Sequence, residues 1–328
     1  MKVLLAESEG FSAAALRRLR ARAEVIEADL RRHELLDAVA DAEVLWVRLR
    51  TQIDREVFAA APGLRVLVSN TTGLNHIDLD EARTRGVHVI SLRGEVELLR
   101  TVRGTAELTL GLALALVRQL PAATAHVVQG GWNRYQFKGH DLYEKTAGIV
   151  GYGRLGRIVA SYFRALGMRV VATTRDTDPV SPSDRVDVIP LDALLREADL
   201  VSVHVDLNPE TRGMFGPDQF AAIKPGAWFV NTSRGEVVDE MALLAALTSG
   251  RLRGAALDVV SDELSPGLHQ RPLMRYAATH DNLLVTPHIG GYTFESLART
   301  EDHLAGRLLD YLELTTRQSV AVTDVVRP

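Results

Sequence analysis

The stretch GIVGYGRLGRIVASYFRALGMRVV, residues 148–171, constrains this chain more than any other. An apolar run gives way to Gly-x-Gly-x-x-Gly, then to an amphipathic helical pattern, then to a second apolar run. A lone glycine motif of this kind arises by chance. In the order strand, turn, helix, strand, each glycine has a physical task. Gly151 permits the tight turn and Gly153 lets a backbone approach a pyrophosphate. Gly156 lets the helix pack closely on the strand, and the helix N-terminus points its free N–H groups at the phosphates. The segment therefore predicts a dinucleotide-binding βαβ unit.

The rest of the chain repeats the alternation. KVLLA, AEVIEA, EVLWV, LRVLVS and GVHVI read as strands in the first part, with helical segments such as FSAAALRRLRA and DREVFAA between them. After residue 145 the pattern restarts with TAGIVGYG, MRVVATT, ADLVSVHV, GAWFVNTS, GAALDVV and NLLVTPH. Two restarting β–α series in 328 residues predict an α/β protein of two doubly wound parallel-sheet domains. Between the series lies TAELTLGLALALVRQL, residues 105–120, apolar on nearly every side of a helical wheel. Such a helix is buried all round, in a domain or subunit interface or inside one domain. Toward the end, FESLARTEDHLAGRLLDYLEL is an amphipathic helix that can return to the first domain.

Charge and composition exclude several classes. The formal net charge of -4 provides no global field for nucleic acid or anionic membrane. Arg17, Arg18, Arg20 and Arg22 read as the solvated face of a helix rather than a binding patch. With no cysteine, the chain has no disulfide framework, thiolate metal site or cysteine nucleophile, which fits a reducing cytoplasm. No HxH or HExxH spacing suggests a metal. The opening MKVLLAESEG is too short and too quickly acidic for a signal peptide, and LTLGLALALV is too short for a membrane span. A soluble cytoplasmic protein is expected.

Three stretches follow strands in the second series: VNTSRGEVVDE with Arg234, ALDVVSDEL with Asp258 and Glu263, and TPHIGGYT with His288. In an open parallel sheet, residues beyond the carboxyl ends of strands converge on the ligand crevice. An arginine there can hold a carboxylate bidentately, a histidine can move a proton, and a glutamate can orient the imidazolium. Taken singly, each has a plainer role: Arg234 as a helix cap, Glu263 as a solvated loop acid, His288 bonded to a backbone carbonyl. Their convergence favours catalysis.

GYGRLG, KPGAWFVNTSRGEVVDE, GAALDVV and TPHIGGYT together resemble the D-isomer-specific 2-hydroxyacid dehydrogenases, and the resemblance runs through almost the whole chain. It implies a Rossmann nucleotide-binding domain, residues 103–289, inserted into a discontinuous flavodoxin-like substrate domain, residues 1–102 and 290–328. It also implies catalytic roles for Arg234, Glu263 and His288 in hydride transfer between a nicotinamide and C2 of a small 2-hydroxy or 2-keto acid. Cofactor contacts are implied at Gly151, Gly153, Arg154, Leu155, Gly156, Thr174, Arg175, His204, Thr232, Asp258 and Gly290. Substrate contacts are implied at Arg48 and Arg50 in WVRLRTQID, and at Thr71, Thr72 and Gly73 in SNTTGLNHID. Two surface arginines flanking a strand end are the plainer reading of Arg48 and Arg50.

The sequence departs from the family pattern in places. Leu264 stands where a proline usually follows the glutamate, and Asp262 precedes it, which leaves the register open by one residue. Thr71 stands where glycine is common. GEVELLR reads as an unusual loop before the buried helix. At the end of VVATT, where an acid normally receives the adenosine ribose, the chain has Thr174 and then Arg175, which predicts NADP(H) over NAD(H). Asp176 would restore NAD(H) if the turn were longer. Arg48 and Arg50, read as buried cations with no partner in the chain, predict a substrate with a second anionic or strongly polar group distal to its carboxylate, since an apolar tail would leave them unpaired. A homodimer through residues 105–120 is expected, with no regulatory extension of the serine-pathway type beyond residue 328. Competing readings are 3-phosphoglycerate dehydrogenase proper and a dinucleotide-sensing corepressor of the same fold.

Overall fold

The computed structural model describes residues 1–175 and 184–324, with side chains as far as Leu314. The chain divides into two compact units: Met1–Val102 with the chain from Thr293 onward, and Arg103–Tyr292. The return to the first unit comes slightly after position 290, because the Gly290 N–H is bonded to the Asp258 carboxylate inside the second unit.

In the first unit, β1 (Lys2–Leu5), β2 (Glu24–Glu27), β3 (Val44–Val47), β4 (Val66–Ser69) and β5 (His88–Ser91) form a sheet of order β2-β1-β3-β4-β5, parallel throughout. The central strands VLWV and VLVS are buried at every position, as strands covered on both faces must be. The edge strands EVIE and HVIS carry exposed residues. The helix Phe294–Asp324 closes one face, burying Leu304, Ala305 and Leu308 beside Leu19 and Trp46. The arginine cluster meets this helix through Arg18–Asp302 at 2.9 Å and Arg22–Glu313 at 3.1 Å. Exposed pairs of this kind add little stability.

In the second unit, β6 (Thr146–Val150), β7 (Arg169–Thr173), β8 (Asp187–Val188), β9 (Leu200–Val203), β10 (Ala227–Asn231), β11 (Leu252–Leu257) and β12 (Leu283–Val285) form a parallel sheet of order β12-β11-β10-β9-β6-β7-β8. The order reverses between β6 and β9, so the turns leaving these two strands face the crevice where doubly wound sheets bind ligands. β8 leaves no mark in the sequence, since two exposed residues carry no periodicity.

Two local expectations change. GEVELLR is not a loop: it contains the helix Val96–Arg100. The apolar helix, Gly104–Val117, buries Ala106, Leu112, Ala113, Leu116 and Val117 in the core of its own unit, against Trp228, Val230 and Ala256. Two residues past its end, Gln119 sits in the left-handed region at φ 53° and caps a new helix, Leu120–Val128, which has Pro121 in its first turn and no buried residue.

Candidate active site

The glycine turn after β6 is shaped by close approaches. Gly151 sits at φ +96°, and a Cβ there would lie 2.7 Å from the His204 carbonyl oxygen; one on Gly156 would lie 2.1 Å from the Gly151 oxygen. Only glycine meets both demands. Gly153, the N-cap of the helix Arg154–Ala165, is different: a Cβ there would meet nothing within 4 Å. Open space thus lies directly over the positive end of a three-turn helix with no acid in its first turn. Burial foremost, and then the Arg103 charge, lower the Arg154 pKa, against the opposing pull of Asp206. Two cations and a helix N-terminus around an open cradle fit a pyrophosphate. Leu155 packs partly buried in the core of this unit.

His204, after β9, is a neutral supporting residue. Burial pushes its pKa down to about 3, its Nε2 lies 2.8 Å from the Ser202 hydroxyl, and its buried Nδ1 has no hydrogen-bond partner among the described residues. Its carbonyl, not its ring, abuts the glycine turn.

The loop after β10 presents Arg234. Asn231 braces it: the Asn231 side chain donates to the Arg234 carbonyl at 3.0 Å and accepts from the Ser233 N–H and hydroxyl at 3.0 and 2.7 Å. The Thr232 hydroxyl is taken up by Thr109 at 2.9 Å. A Cβ on Gly235 would lie 1.9 Å from the Val260 carbonyl carbon, so glycine alone lets the loops after β10 and β11 press together. The half-buried Arg234 donates from Nη1 to the Ser233 carbonyl at 2.6 Å, and no carboxylate among the described residues forms an ion pair with it.

The loops after β11 and β12 are joined by Asp258. Its Oδ1 accepts from the Thr286 hydroxyl at 2.6 Å and the Ile289 N–H at 2.9 Å, and its Oδ2 from the Gly290 N–H at 2.8 Å. Burial raises its pKa, with these donors pulling the other way. The Asp258 carbonyl also accepts the His288 N–H at 2.9 Å. His288 is thereby held at φ 53°, a strained conformation for a side chain of its size.

Held this way, His288 Nδ1 lies 2.6 Å from Glu263 Oε1, with both side chains largely shielded. The register is resolved: Glu263 meets the imidazole, while the exposed Asp262 turns the chain at φ 46°. An ionised carboxylate can only accept, so Nδ1 donates to Glu263 and Nε2 is not engaged by it.

The substrate-loop candidates lie in the first unit. Thr71 is buried, its hydroxyl 2.9 Å from that of Ser69, whereas Thr72 is exposed and Gly73 half-buried. The expectation that Arg48 and Arg50 stand as unpaired cations needs correction. Arg48 is buried against the fully buried Glu301, with Nη2 to Oε1 at 2.6 Å, and also donates to the Glu9 carbonyl at 2.8 Å. Arg50, half-exposed, reaches Asp29 at 3.5 Å. Sequence reasoning missed Glu301, because a partner 253 positions away leaves no local signal. At the end of β7, Thr174 is half-buried and Arg175 forms an exposed ion pair with Glu210. Asp176 lies outside the described residues.

The chain matches the family model described as D-isomer specific 2-hydroxyacid dehydrogenase, NAD binding domain, over residues 110–290. It belongs to the D-isomer-specific 2-hydroxyacid dehydrogenase family. It is 38% identical over 275 residues to the D-3-phosphoglycerate dehydrogenase of Mycobacterium tuberculosis, a match covering 84% of this chain and 50% of that one. The chain thus spans about half the length of the curated relatives it matches. Among solved structures it is similar to the TT0316 protein from Thermus thermophilus, with TM-score 0.82, 37% identity, and 95% and 97% of the two chains covered. It is also similar to D-lactate dehydrogenase from Aquifex aeolicus complexed with NAD and lactic acid, with TM-score 0.82, 25% identity, and 97% of each chain covered.

Proposed function

We propose that this family member interconverts a 2-hydroxy acid and its 2-keto acid, with a nicotinamide dinucleotide as the hydride partner. The reading rests on one observation above all: three successive strands of the second unit deliver Arg234, a cation with no carboxylate partner among the described residues, and the 2.6 Å pair of Glu263 and His288. Gly153 and the N-terminus of the helix Arg154–Ala165 would hold the cofactor, which would supply or accept the hydride. Arg234 holds the substrate carboxylate through its planar fork and polarises the neighbouring carbonyl. His288 donates a proton from Nε2 to the carbonyl oxygen on reduction and removes it on oxidation. Glu263 keeps the imidazole in the productive tautomer and balances the charge that the ring gains.

Because Arg48 is neutralised by Glu301, no unpaired cation there calls for a second anionic group on the substrate. The test is a panel of 2-keto acids, aliphatic, dicarboxylic and phosphorylated, assayed with both reduced nicotinamides. Turnover of at least one is expected, and none with either nicotinamide would sink the reading.

The proposed cofactor preference is NADP(H). Thr174 is neutral and small where an acid would repel a 2′-phosphate, and Arg175 follows it. Its contact with Glu210 leaves both side chains about 70% exposed, so the arginine can exchange partner with little loss of stability. NADPH should show the higher kcat/KM, and Arg175→Ala should lower that value roughly tenfold while sparing NADH. NADH preferred in the wild type, unchanged by the substitution, would count against it.

A homodimer through residues 105–120 is also proposed: the helix Gly104–Val117 gives only part of its apolar face to its own core and leaves Leu108, Leu110 and Leu114 partly buried. The exposed apolar surface continues from Leu120 to Val127, Val128, Trp132 and Tyr135. A second copy of the chain is the proposed cover. Light scattering should give a dimer mass at micromolar concentration, converted to a monomer by Val128→Glu with Trp132→Glu. A monomeric wild type rejects this surface.

A further inference from the structure

The loop that delivers Glu263 leaves β11 and runs to Arg271, just before the helix Pro272–Ala277. In its first half, Asp262 is in the left-handed region, its carbonyl accepts the Ser265 N–H at 2.9 Å, and Leu264 is 53% exposed. Two side chains outside the proposed chemistry close it. Glu240 Oε1 accepts the Ser261 N–H at 2.8 Å, and Glu240 Oε2 accepts from Arg271 Nη2 at 2.7 Å. Arg271 Nη1 in turn donates to the Ser261 carbonyl. One ion pair therefore satisfies both backbone polar groups of Ser261 and ties the end of the loop to its beginning.

The anchor is well founded. Glu240 opens the helix Glu240–Thr248, whose N-cap Asp239 accepts from Met241 N and Ala242 N at 2.9 and 3.1 Å. The pair is 29% and 14% exposed, so its charge-assisted bonds are shielded better than those of the surface pairs described above.

We infer that Glu240 and Arg271 are positioning residues for Glu263: by clamping Ser261, two residues upstream, they hold the carboxylate against His288 Nδ1. This rests on the acid–base reading of the Glu263–His288 pair. Without the clamp, the loop visits conformations in which Glu263 is absent from the imidazole. The rate then falls with the fraction of molecules correctly assembled, while the cofactor cradle around Gly153 is untouched.

The experiment compares Arg271→Met, Glu263→Gln and their double variant in steady-state reduction of the best 2-keto acid. Arg271→Met should lower kcat about tenfold to a hundredfold with the cofactor KM unchanged, and Arg271→Lys should recover most of the loss. In the Glu263→Gln background, Arg271→Met should do nothing further, because the group it positions is gone. A wild-type kcat in Arg271→Met, or an equal loss in both backgrounds, overturns the positioning role. A wild-type kcat in Glu263→Gln instead overturns the acid–base reading, so the two failures are distinct. If Arg271→Met does not fold, Glu240→Gln serves. Its amide oxygen still accepts the Ser261 N–H, and a kcat equal to wild type in that variant likewise rejects the clamp.

Discussion

His288→Asn should lower kcat for 2-keto acid reduction by a factor on the order of 10²–10⁴, the usual contribution of a positioned general acid. Asparagine is the informative replacement because it tolerates the φ of 53° that residue 288 adopts, so the loop and its bond to the Asp258 carbonyl can persist. Cofactor affinity should be unchanged, since the glycine turn and the helix Arg154–Ala165 are untouched. Stopped-flow hydride transfer and fluorescence titration of the reduced cofactor measure the two quantities separately. Retention of more than about a tenth of wild-type kcat would mean that the proton comes from elsewhere.

Arg234→Met carries the second large effect, and it divides differently. Removing a fork that grips the carboxylate in ground and transition states alike should raise KM, and losing its polarising charge should lower kcat as well. Together they should reduce kcat/KM by roughly 10²–10³, about 3–4 kcal/mol. Lysine at this position should recover little, because an ammonium presents no planar pair of donors. Guanidinium ion added to Arg234→Met gives a direct check: partial recovery is expected, and a KM unaffected by the substitution would remove Arg234 from the carboxylate.

Much of this was legible in the sequence. The strands of both units announce themselves because buried parallel strands are nearly continuous apolar runs, as in VLWV and AWFVN. Gly151 and Gly156 were readable because the turn's sterics demand glycine at that spacing, and Gly153 because it leaves open space over the helix N-terminus. The positions of Arg234, Glu263 and His288 after three strands followed from the alternation alone. Long-range side-chain partners were not legible. Nothing near Arg48 says that its charge is matched by Glu301, and nothing near Ser261 says that Glu240 and Arg271 grip its backbone. The burial of the helix Gly104–Val117 was clear from its composition, but how much of it its own core would claim was not. Nor was the continuation of exposed apolar side chains into the next helix, beyond a left-handed residue, Gln119, that propensity gave no reason to expect.

The Arg48–Glu301 pair also imposes an order in time. The second unit is a continuous run, Arg103–Tyr292, and every partner of its sheet is synthesised within it. The first unit begins earlier and finishes later, since Glu301, Leu304, Ala305 and Leu308 emerge only after the whole of the second. Until then, an arginine destined for the interior lacks its buried counter-charge, and one face of the five-stranded sheet lacks part of its cover. Such exposed intermediates bind chaperones and other nascent chains. The domain that starts first is therefore the one completed last, and the inserted domain can fold while its host is still waiting.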